Sequence, residues 1–485
     1  MNNKVLAIVC AIVIVAVAIA AAVLLMNGDS KSGSGDKYTV GVDVQADPLY
    51  ADFDVENVEN LVFGNANNDG YLDNDDLVLL KQFVAGTKTW DINKNPLADT
   101  NADGKVSQED VDMLQKMLNA TSSSEQFEVK YLNYYKRVAT SLFPLRGNIT
   151  VQYNTGYDVA VILGVLDDVV GTGQGGESHI NGLSETLYPG LKSHLTCIDN
   201  DAGDFDPEKI YATNTKIVLG DPYGTTDDFA DEMKKLDSKC TVLNLPLNRY
   251  LNGVDYTQTI ITMGVLMCLQ SNTAKYVQYI EDVNVSIENA IKTAHASSKT
   301  YVISFQPSSA NSISLDCLNT MAMQYNDVMN MEKLPVTYAL PAVERYYGGM
   351  YNGLEAEYLA TKNPEYIIME HYGIAGSDIS LEDFRNKVAP VVDYFSVTNA
   401  YMNDKIIVMP FELIGGIHGL GTLCYIGYLM WGDEYFPEED AMNMVNYYFQ
   451  YFTNMGKDVD MSTDYHYLPI KCGENVKLSE YVPGA

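Results

Sequence analysis

The chain has few basic residues. Of its 485 residues, 31 are Lys or Arg and 64 are Asp or Glu, which gives a formal net charge of −33. Nucleic acids and anionic membrane surfaces attract proteins through basic patches, so this charge excludes both as natural partners. Trp is also scarce, with 2 residues against 35 Tyr, and this balance favours stacking on a large and partly polar partner.

Several common catalytic and metal-binding motifs are missing. The 7 Cys form no CxxC pair, which argues against a zinc module or a thioredoxin-type site. No Gly-x-Ser-x-Gly elbow supports serine-hydrolase chemistry. The glycine-rich segment at 171–176, GTGQGG, lacks both the Lys-Ser/Thr of a phosphate-binding loop and the spacing of a dinucleotide fingerprint.

One long uncharged run lies near the N-terminus. Residues 5–26 contain 22 residues without a charge, enough to cross about 30 Å of hydrocarbon at about 1.5 Å per helical residue. A secretory signal core is only about 7–15 residues long, so we interpret 1–26 as a transmembrane anchor. Lys4 precedes the run and places the N-terminus inside the cell, with the body outside. The polar residues 27–46 predict a flexible linker.

Two segments have the ligand pattern of a calcium loop. They are NANNDGYLDNDD at 65–76 and DTNADGKVSQED at 99–110. Each has oxygen-bearing side chains at positions 1, 3, 5, 9 and 12, an available carbonyl at position 7, and the turn-forming Gly at position 6. Each runs into an apolar-periodic helix. The expected ligands of two calcium ions are Asn65, Asn67, Asp69, Tyr71 (carbonyl), Asp73, Asp76, Asp99, Asn101, Asp103, Lys105 (carbonyl), Ser107 and Asp110.

This duplicated loop–helix unit, repeated at an offset of 34 residues, resembles a dockerin. The resemblance implies calcium binding and a cohesin-bearing partner, and the predicted domain spans 47–122. Its residues 47–120 include 15 acidic and 5 basic side chains, so we expect poor folding unless metal compensates the carboxylates. The first loop begins with Asn65 rather than Asp, which predicts a weaker site. The sequence leaves open whether the module binds another chain or packs on its own body.

The rest of the chain alternates β-branched apolar runs with helical stretches, which is typical of an α/β fold. A single long helix is predicted over 254–295, between two lobes at about 130–252 and 296–456, and a C-terminal tail follows at 457–485. The predicted strands are 137–140, 149–152, 169–171, 216–219, 241–243, 301–305, 365–369 and 406–408.

Four segments of this body resemble the solute-binding proteins of ABC importers for iron–siderophore, haem and corrinoid complexes. They are ITVQYNTGYDVAVILGVLDDVVG (149–171), FDPEKIYATNTKIVLGDP (205–222), YLATKNPEYIIMEHYG (358–373) and the segment 404–452. The resemblance implies two Rossmann-like lobes joined by a long backbone helix, beside the small α-helical dockerin-like domain and the transmembrane helix. It also implies binding without catalysis, because this family captures a metal chelate or a cobalamin-like corrinoid and delivers it to a permease.

Candidate ligand contacts follow from the geometry of parallel sheets. Ligands meet the loops at the carboxyl ends of the strands, because backbone N–H groups and helix N-termini point there. Tyr rings suit stacking on a corrin, porphyrin or catecholate plane, and Arg pairs with carboxylates or with an anionic chelate. The expected ligand-binding residues are Tyr153, Asn154, Asp221, Tyr223, Arg249, Ser308, Arg345, Tyr347, His371, Tyr372, Glu412 and His418.

Two other functions stay open on the sequence alone. A dockerin-like module often accompanies polysaccharide hydrolases, so a dockerin-bearing extracellular polysaccharide-degrading enzyme is the main alternative. That chemistry needs two carboxylates across a cleft, and no strand-end acid pair stands out. A surface adhesin, with the body as a spacer, is the other alternative. The sequence favours a membrane-anchored, cell-surface substrate-binding protein of an archaeal or Gram-positive type cell.

Overall fold

The computed structural model of the protein describes most of residues 46–294 and selected segments beyond them. The described residues are 46–50, 53, 55–152, 155–173, 188, 190–199, 205–220, 227–246, 256–294, 299–305, 314–315, 331–333, 345–346, 350–351, 360–361, 363–371, 395–403, 405–410, 419–453 and 470–471. Within them no helix is long and apolar enough to cross a membrane. The anchor expected at 1–26 lies outside the described residues.

The chain divides into two compact units. Unit 1 comprises residues 1–174 and 195–277, and unit 2 comprises residues 175–194 and 278–485. The calcium-loop module and the first half of the body therefore belong to one unit. The domain boundaries expected at 47–122 and 130–456 stay a prediction.

The module contains two helices of equal length, α1 (Asn74–Val84) and α2 (Gln108–Leu118). Each begins directly after position 9 of its loop, where Asp73 and Ser107 are the N-caps and complete a capping box with the acid at position 12. Leu80 of α1 and Leu114 of α2 are fully buried, as the apolar periodicity predicts. The expected helix after each loop is confirmed.

An antiparallel hairpin joins the module to the body. Its strands are β1 (Phe127–Leu132) and β2 (Val138–Phe143). Residues 61–63, just before the first loop, lie along β1 like a third strand. Phe63 N–H donates to Lys130 O (3.0 Å), and Leu132 N–H donates to Leu61 O (2.8 Å). These main-chain bonds explain why the module and the body form one unit.

A five-stranded parallel sheet is the centre of unit 1. Its strands are β3 (Asn148–Val151), β4 (Val169–Thr172), β5 (Thr196–Cys197), β6 (Thr215–Gly220) and β7 (Thr241–Asn244), and its helices are α3 (Thr155–Leu163), α4 (Pro207–Ala212) and α5 (Asp227–Leu236). The strand order is β5-β4-β3-β6-β7, and every neighbouring pair is parallel. The α/β prediction is confirmed here.

The single helix expected over 254–295 is instead two helices, α6 (Tyr256–Leu266) and α7 (Gln270–Ala294). The break is a Schellman turn centred on Cys268, which has φ 58°. Cys268 N–H donates to Val265 O (3.0 Å), and Leu269 N–H donates to Gly264 O (2.7 Å). Glycine usually occupies this left-handed position, so the Cys gives no sequence signal for the break.

Unit 2 contains a mixed sheet with the order β11-β12-β9-β8-β13-β14-β15, while β10 pairs with β8. The strands are β8 (Lys299–Phe305), β9 (Ser314–Leu315), β10 (Met331–Lys333), β11 (Arg345–Tyr346), β12 (Met350–Tyr351), β13 (Tyr366–His371), β14 (Ile406–Pro410) and β15 (Ile470–Lys471). Strands β8, β13 and β14 run parallel, whereas β9 and β15 pair antiparallel with β8 and β14. The eight predicted strands of both units are confirmed, and the antiparallel additions were not predicted.

The described part of unit 2 also contains the helices α8 (Asn399–Met402), between β13 and β14, and α9 (Gly419–Trp431) and α10 (Glu438–Tyr451), between β14 and β15. The ring of Tyr279 stacks on that of Tyr447 at 5.4 Å with an interplanar angle of 5°. Gly421 makes the close packing possible, since a Cβ there would lie 2.6 Å from Met444 O. Tyr366 OH donates to Met430 O (2.9 Å), which fixes β13 to the end of α9.

Candidate calcium loops and solute-binding crevice

The two loops share one hydrogen-bonding frame, built around the acid at position 12. Asp76 Oδ1 accepts from Asn67 N–H (3.2 Å), and its Oδ2 accepts from Asp73 N–H (2.9 Å). In the second loop Asp110 Oδ1 accepts from Asn101 N–H (3.2 Å), and its Oδ2 accepts from Ser107 N–H (2.7 Å). Both carboxylates are fully buried. The sequence repeat is therefore also a repeat in three dimensions.

Position 1 distinguishes the loops. Asp99 accepts from Asp103 N–H (3.0 Å) and from Gly104 N–H (2.6 Å) through its two oxygens. Asn65 instead donates from Nδ2 to Asp69 O (2.8 Å), so its amide lies within the loop. Its Oδ1 is buried and has no hydrogen-bond partner. A bound cation would satisfy this orphaned oxygen.

Buried negative charge is poorly compensated in both loops. Burial raises the pKa of Asp76 to about 7 and that of Asp99 to about 6, although backbone N–H donors oppose the shift. Burial also raises the pKa of Asp69. A divalent cation favours the ionised form of such carboxylates and would remove this cost.

The donor set fits calcium, because it consists of oxygens only. Within the described part of the chain, no group of three or more His, Cys, Asp or Glu side chains is gathered as a metal site. A cation held by either loop would therefore also need amide, hydroxyl or backbone oxygens as ligands. The loops provide such oxygens at Asn65, Asn67, Asn101 and Ser107, and at the carbonyls of Tyr71 and Lys105.

The carboxyl edge of the unit 1 sheet is the candidate solute-binding crevice. Strand β3 continues to β4 on one side of the sheet, whereas β6 continues to β7 on the other. The switch point therefore lies between β3 and β6, which is where open α/β sheets bind ligands. Helix α3 begins there at Thr155, and the backbone N–H groups of its first turn suit an anionic or strongly polar group.

Two glycines keep this edge compact. A Cβ at Gly156 would lie 2.6 Å from Val151 Cβ, and a Cβ at Gly173 would lie 2.8 Å from Gln152 O. Thr155 is 1% exposed, and its Oγ1 has no hydrogen-bond partner. Thr155 and Gly156 were not singled out from the sequence, and Gly173 was noted only as part of the glycine-rich segment at 171–176. A glycine within four residues of a predicted strand end was the available signal.

The described residues include only 2 of the 12 expected ligand contacts. His371 is the last residue of β13 and pairs with Pro410 of the parallel strand β14, so its backbone lies at a carboxyl strand end. Arg345 was expected near a loop, but it lies in β11, which pairs antiparallel with β12. The expected contacts that lie outside the described residues are Tyr153, Asn154, Asp221, Tyr223, Arg249, Ser308, Tyr347, Tyr372, Glu412 and His418.

A family comparison decides the nature of the module. Residues 64–119 match the family model for the dockerin type I domain. The dockerin resemblance is confirmed. The match covers both calcium loops together with α1 and α2, and it begins at Gly64, one residue before position 1 of the first loop. No curated protein sequence matches the chain.

The body is similar to solved structures of solute-binding proteins, one of which shares its fold with a TM-score above 0.5. A periplasmic solute-binding protein of Veillonella parvula superposes with a TM-score of 0.51 at 12% identity, covering 70% of this chain and 95% of that one. CeuE of Helicobacter pylori, in complex with Ni and His, gives 0.48 at 15% identity, covering 67% and 95%. The periplasmic haem-binding protein HutB of Vibrio cholerae gives 0.42 at 14% identity, covering 59% and 99%. The dockerin-bearing chain thus has the fold of a periplasmic solute-binding protein, as the sequence resemblance implied.

Proposed function

We propose that this protein is the substrate-binding protein of an ABC importer, and that it captures a metal chelate or corrinoid and delivers it to a permease. The observation that carries the proposal is the unit 1 sheet. Its switch point and the start of α3 coincide at one edge, in a fold shared with a periplasmic solute-binding protein. The Tyr-rich composition supports a flat and partly polar cargo, such as a ferric siderophore, haem or a cobalamin-like corrinoid.

Binding energy, with no covalent step, accounts for the activity. The N–H groups of the first turn of α3 bind a polar group of the cargo, and the helix dipole favours negative charge there. The close approach of Gly156 to Val151 fixes this turn against β3, so the donors are positioned before the cargo arrives. The protein on this reading is not an enzyme.

Titration with three cargo classes tests the proposal. We expect absorbance and calorimetric titrations with a ferric siderophore, haem and cobalamin to show micromolar or tighter binding of one class. Substituting Gly156→Val should reduce that affinity at least tenfold, because the new side chain displaces the first turn of α3 from Val151. Flat titrations across all three classes, or release of reducing sugar from polysaccharides, would contradict the importer function.

The dockerin type I segment is proposed to bind two Ca²⁺ ions through the twelve loop residues named above. When bound, calcium supplies the positive charge that the buried carboxylates lack, and the loop residues orient their oxygens around it. A cohesin-bearing protein is the partner that this module implies. Tyr71 and Val78 are 46% and 54% exposed, and they offer apolar surface on the module for such a contact.

The N-terminal run is proposed to anchor the protein to the outer face of the cell membrane. We expect the full-length chain to remain with the membrane fraction after a high-salt wash, and a chain that starts at Asp36 to be recovered in the soluble fraction. The physical reason is that 22 consecutive uncharged residues match the hydrocarbon thickness. Recovery of the full-length chain as a soluble protein would exclude the anchor.

A further inference from the structure

We infer that calcium binding to the first loop (65–76) stabilises the junction between α6 and α7 of the solute-binding body. Calcium binding to the second loop (99–110) does not have this effect. The junction is defined as residues 261–273. The inference rests on the proposed calcium binding of the module and goes beyond it, because it makes one half of the dockerin-type module a calcium-dependent part of the cargo-binding body. Four features of unit 1 carry it.

The first loop is directly bonded to the start of α7. Leu72 N–H donates to Gln270 Oε1 (2.7 Å), and Gln270 Nε2 donates back to Leu72 O (3.3 Å). Leu72 lies between Tyr71 and Asp73, which are positions 7 and 9 of the loop. A cation that fixes these two ligands also fixes the peptide groups that bind Gln270.

The chain that enters the first loop is bonded to α6. Leu61 N–H donates to the buried Thr262 Oγ1 (3.0 Å). Gln258 Nε2 donates to Val55 O (2.8 Å) and to Val58 O (2.5 Å). Gln258 and Thr262 are four residues apart and so lie on one face of the helix. This face of α6 is therefore hydrogen-bonded to the module.

Side-chain packing also connects the first loop to α6. A Cβ at Gly70, position 6 of the first loop, would lie 2.9 Å from Glu59 Oε2 of the module and 3.6 Å from Ile261 Cδ1 of α6. Leu72 at position 8 is only 4% exposed. Gly70 and Leu72 of the first loop and Ile261 of α6 are thus all buried where the loop meets the helix.

The second loop provides an internal comparison, because its equivalent positions touch the module itself. A Cβ at Gly104 would have the module's own Leu49 Cδ1 as its nearest neighbour, at 3.9 Å. Val106 at position 8 is half-buried, and Lys105 beside it is exposed. Two loops with the same frame therefore differ in what they contact, and among the hydrogen bonds of the described residues only the first loop is bonded to α7.

Thermodynamic linkage makes the coupling between calcium binding and the α6–α7 junction reciprocal. If calcium in the first loop stabilises the bonded junction, the bonded junction raises the calcium affinity of that loop by the same factor. Helix α7 runs from Gln270 to Ala294 and passes from unit 1 into unit 2 at residue 278. Calcium occupancy is thereby linked to the helix that both units share.

Hydrogen exchange on matched loop variants tests the inference. Asp69→Ala and Asp103→Ala remove the position-5 ligand of the first and second loop, respectively. Hydrogen exchange of the full-length protein in detergent micelles is measured once with EDTA and once with Ca²⁺. At free calcium of about 100 times the dissociation constant, we expect amides of 256–273 to exchange up to about 100-fold more slowly in wild type and Asp103→Ala. Asp69→Ala should show no such slowing.

A third variant separates coupling from metal binding. Gln270→Ala leaves every proposed calcium ligand in place, so calorimetry should still count two bound ions, with weaker binding at the first loop. Exchange at 256–273 should lose its response to calcium. Equal responses in Asp69→Ala and Asp103→Ala would overturn the inference. If the wild-type protein binds two ions but exchange at 256–273 does not respond to calcium, the inference is overturned and the calcium proposal stands. If the wild-type protein binds no ion, both are overturned.

Discussion

Asp110→Asn is expected to abolish calcium binding at the second loop and to lower the melting temperature, whereas Asp112→Asn should change neither. Asp110 is fully buried, and its two oxygens accept from Asn101 and Ser107 N–H groups. An amide replaces one acceptor by a donor that faces a backbone N–H. The neighbouring Asp112 is exposed and only accepts from Gln108 Nε2 (2.8 Å).

The expected loss of stability is large because two free-energy costs add. Leaving a buried donor unsatisfied costs about 1–3 kcal/mol. Losing an ion that is present at 100 times its dissociation constant removes about 2.7 kcal/mol more. For a body of about 250 residues, each kcal/mol lowers the melting temperature by about 2–4 °C, so a decrease of about 10 °C is expected.

Calorimetry in calcium buffer checks this expectation by counting bound ions in both variants and recording their melts. Asp112→Asn removes the same charge two residues away and controls for net charge. Two ions bound to Asp110→Asn, or equal melts for the two variants, would show that position 12 does not hold metal. In EDTA the melts of the two variants should differ less, since only the hydrogen-bond cost remains.

Gly264→Val is the second substitution with a large expected effect, because it fills the contact where α6 and α7 meet. A Cβ at Gly264 would overlap the Thr273 Cγ2 methyl, and Thr273 is buried. Overpacking of this kind costs about 1–3 kcal/mol. The higher helix propensity of Val returns only a few tenths of a kcal/mol, so the steric effect decides.

Thr273→Ser provides the matched rescue. It deletes the overlapping methyl and keeps the hydroxyl that donates to Gln270 O (2.9 Å). Alone it should cost about 0.8 kcal/mol, the value of one buried methyl. Combined with Gly264→Val it should restore part of the lost stability, measured as a favourable coupling in a denaturant double-mutant cycle. Strictly additive effects would show that the two helices do not meet at this pair.

The strands were predictable where the local pattern and the tertiary structure agree. Residues 217–219 are apolar and include two β-branched side chains, and they form the buried centre of β6. Strand β1 was missed because it mixes charged and apolar residues, as its exposed Glu128 shows. Its stability comes from pairing with β2 and with residues 61–63, which are distant in sequence.

The calcium loops were predictable because their ligand spacing is rigid and occurs twice, and the dockerin family match follows the same residues. The docking of the module on α6 was not predictable. It depends on Gln258, Thr262 and Gln270, which are ordinary polar residues in a helical stretch. Nothing in their local sequence distinguishes a buried partner of a distant carbonyl from a solvated side chain.

The route by which the chain enters unit 1 has a mechanical consequence. Asp47 is the second described residue, and its N–H donates to Lys136 O (3.1 Å) in the turn between β1 and β2. Lys136 Nζ also donates to Phe53 O (2.8 Å). If the protein is anchored through its N-terminus as proposed, a pulling force on residue 46 would therefore act first on the hairpin, before it reached either calcium loop.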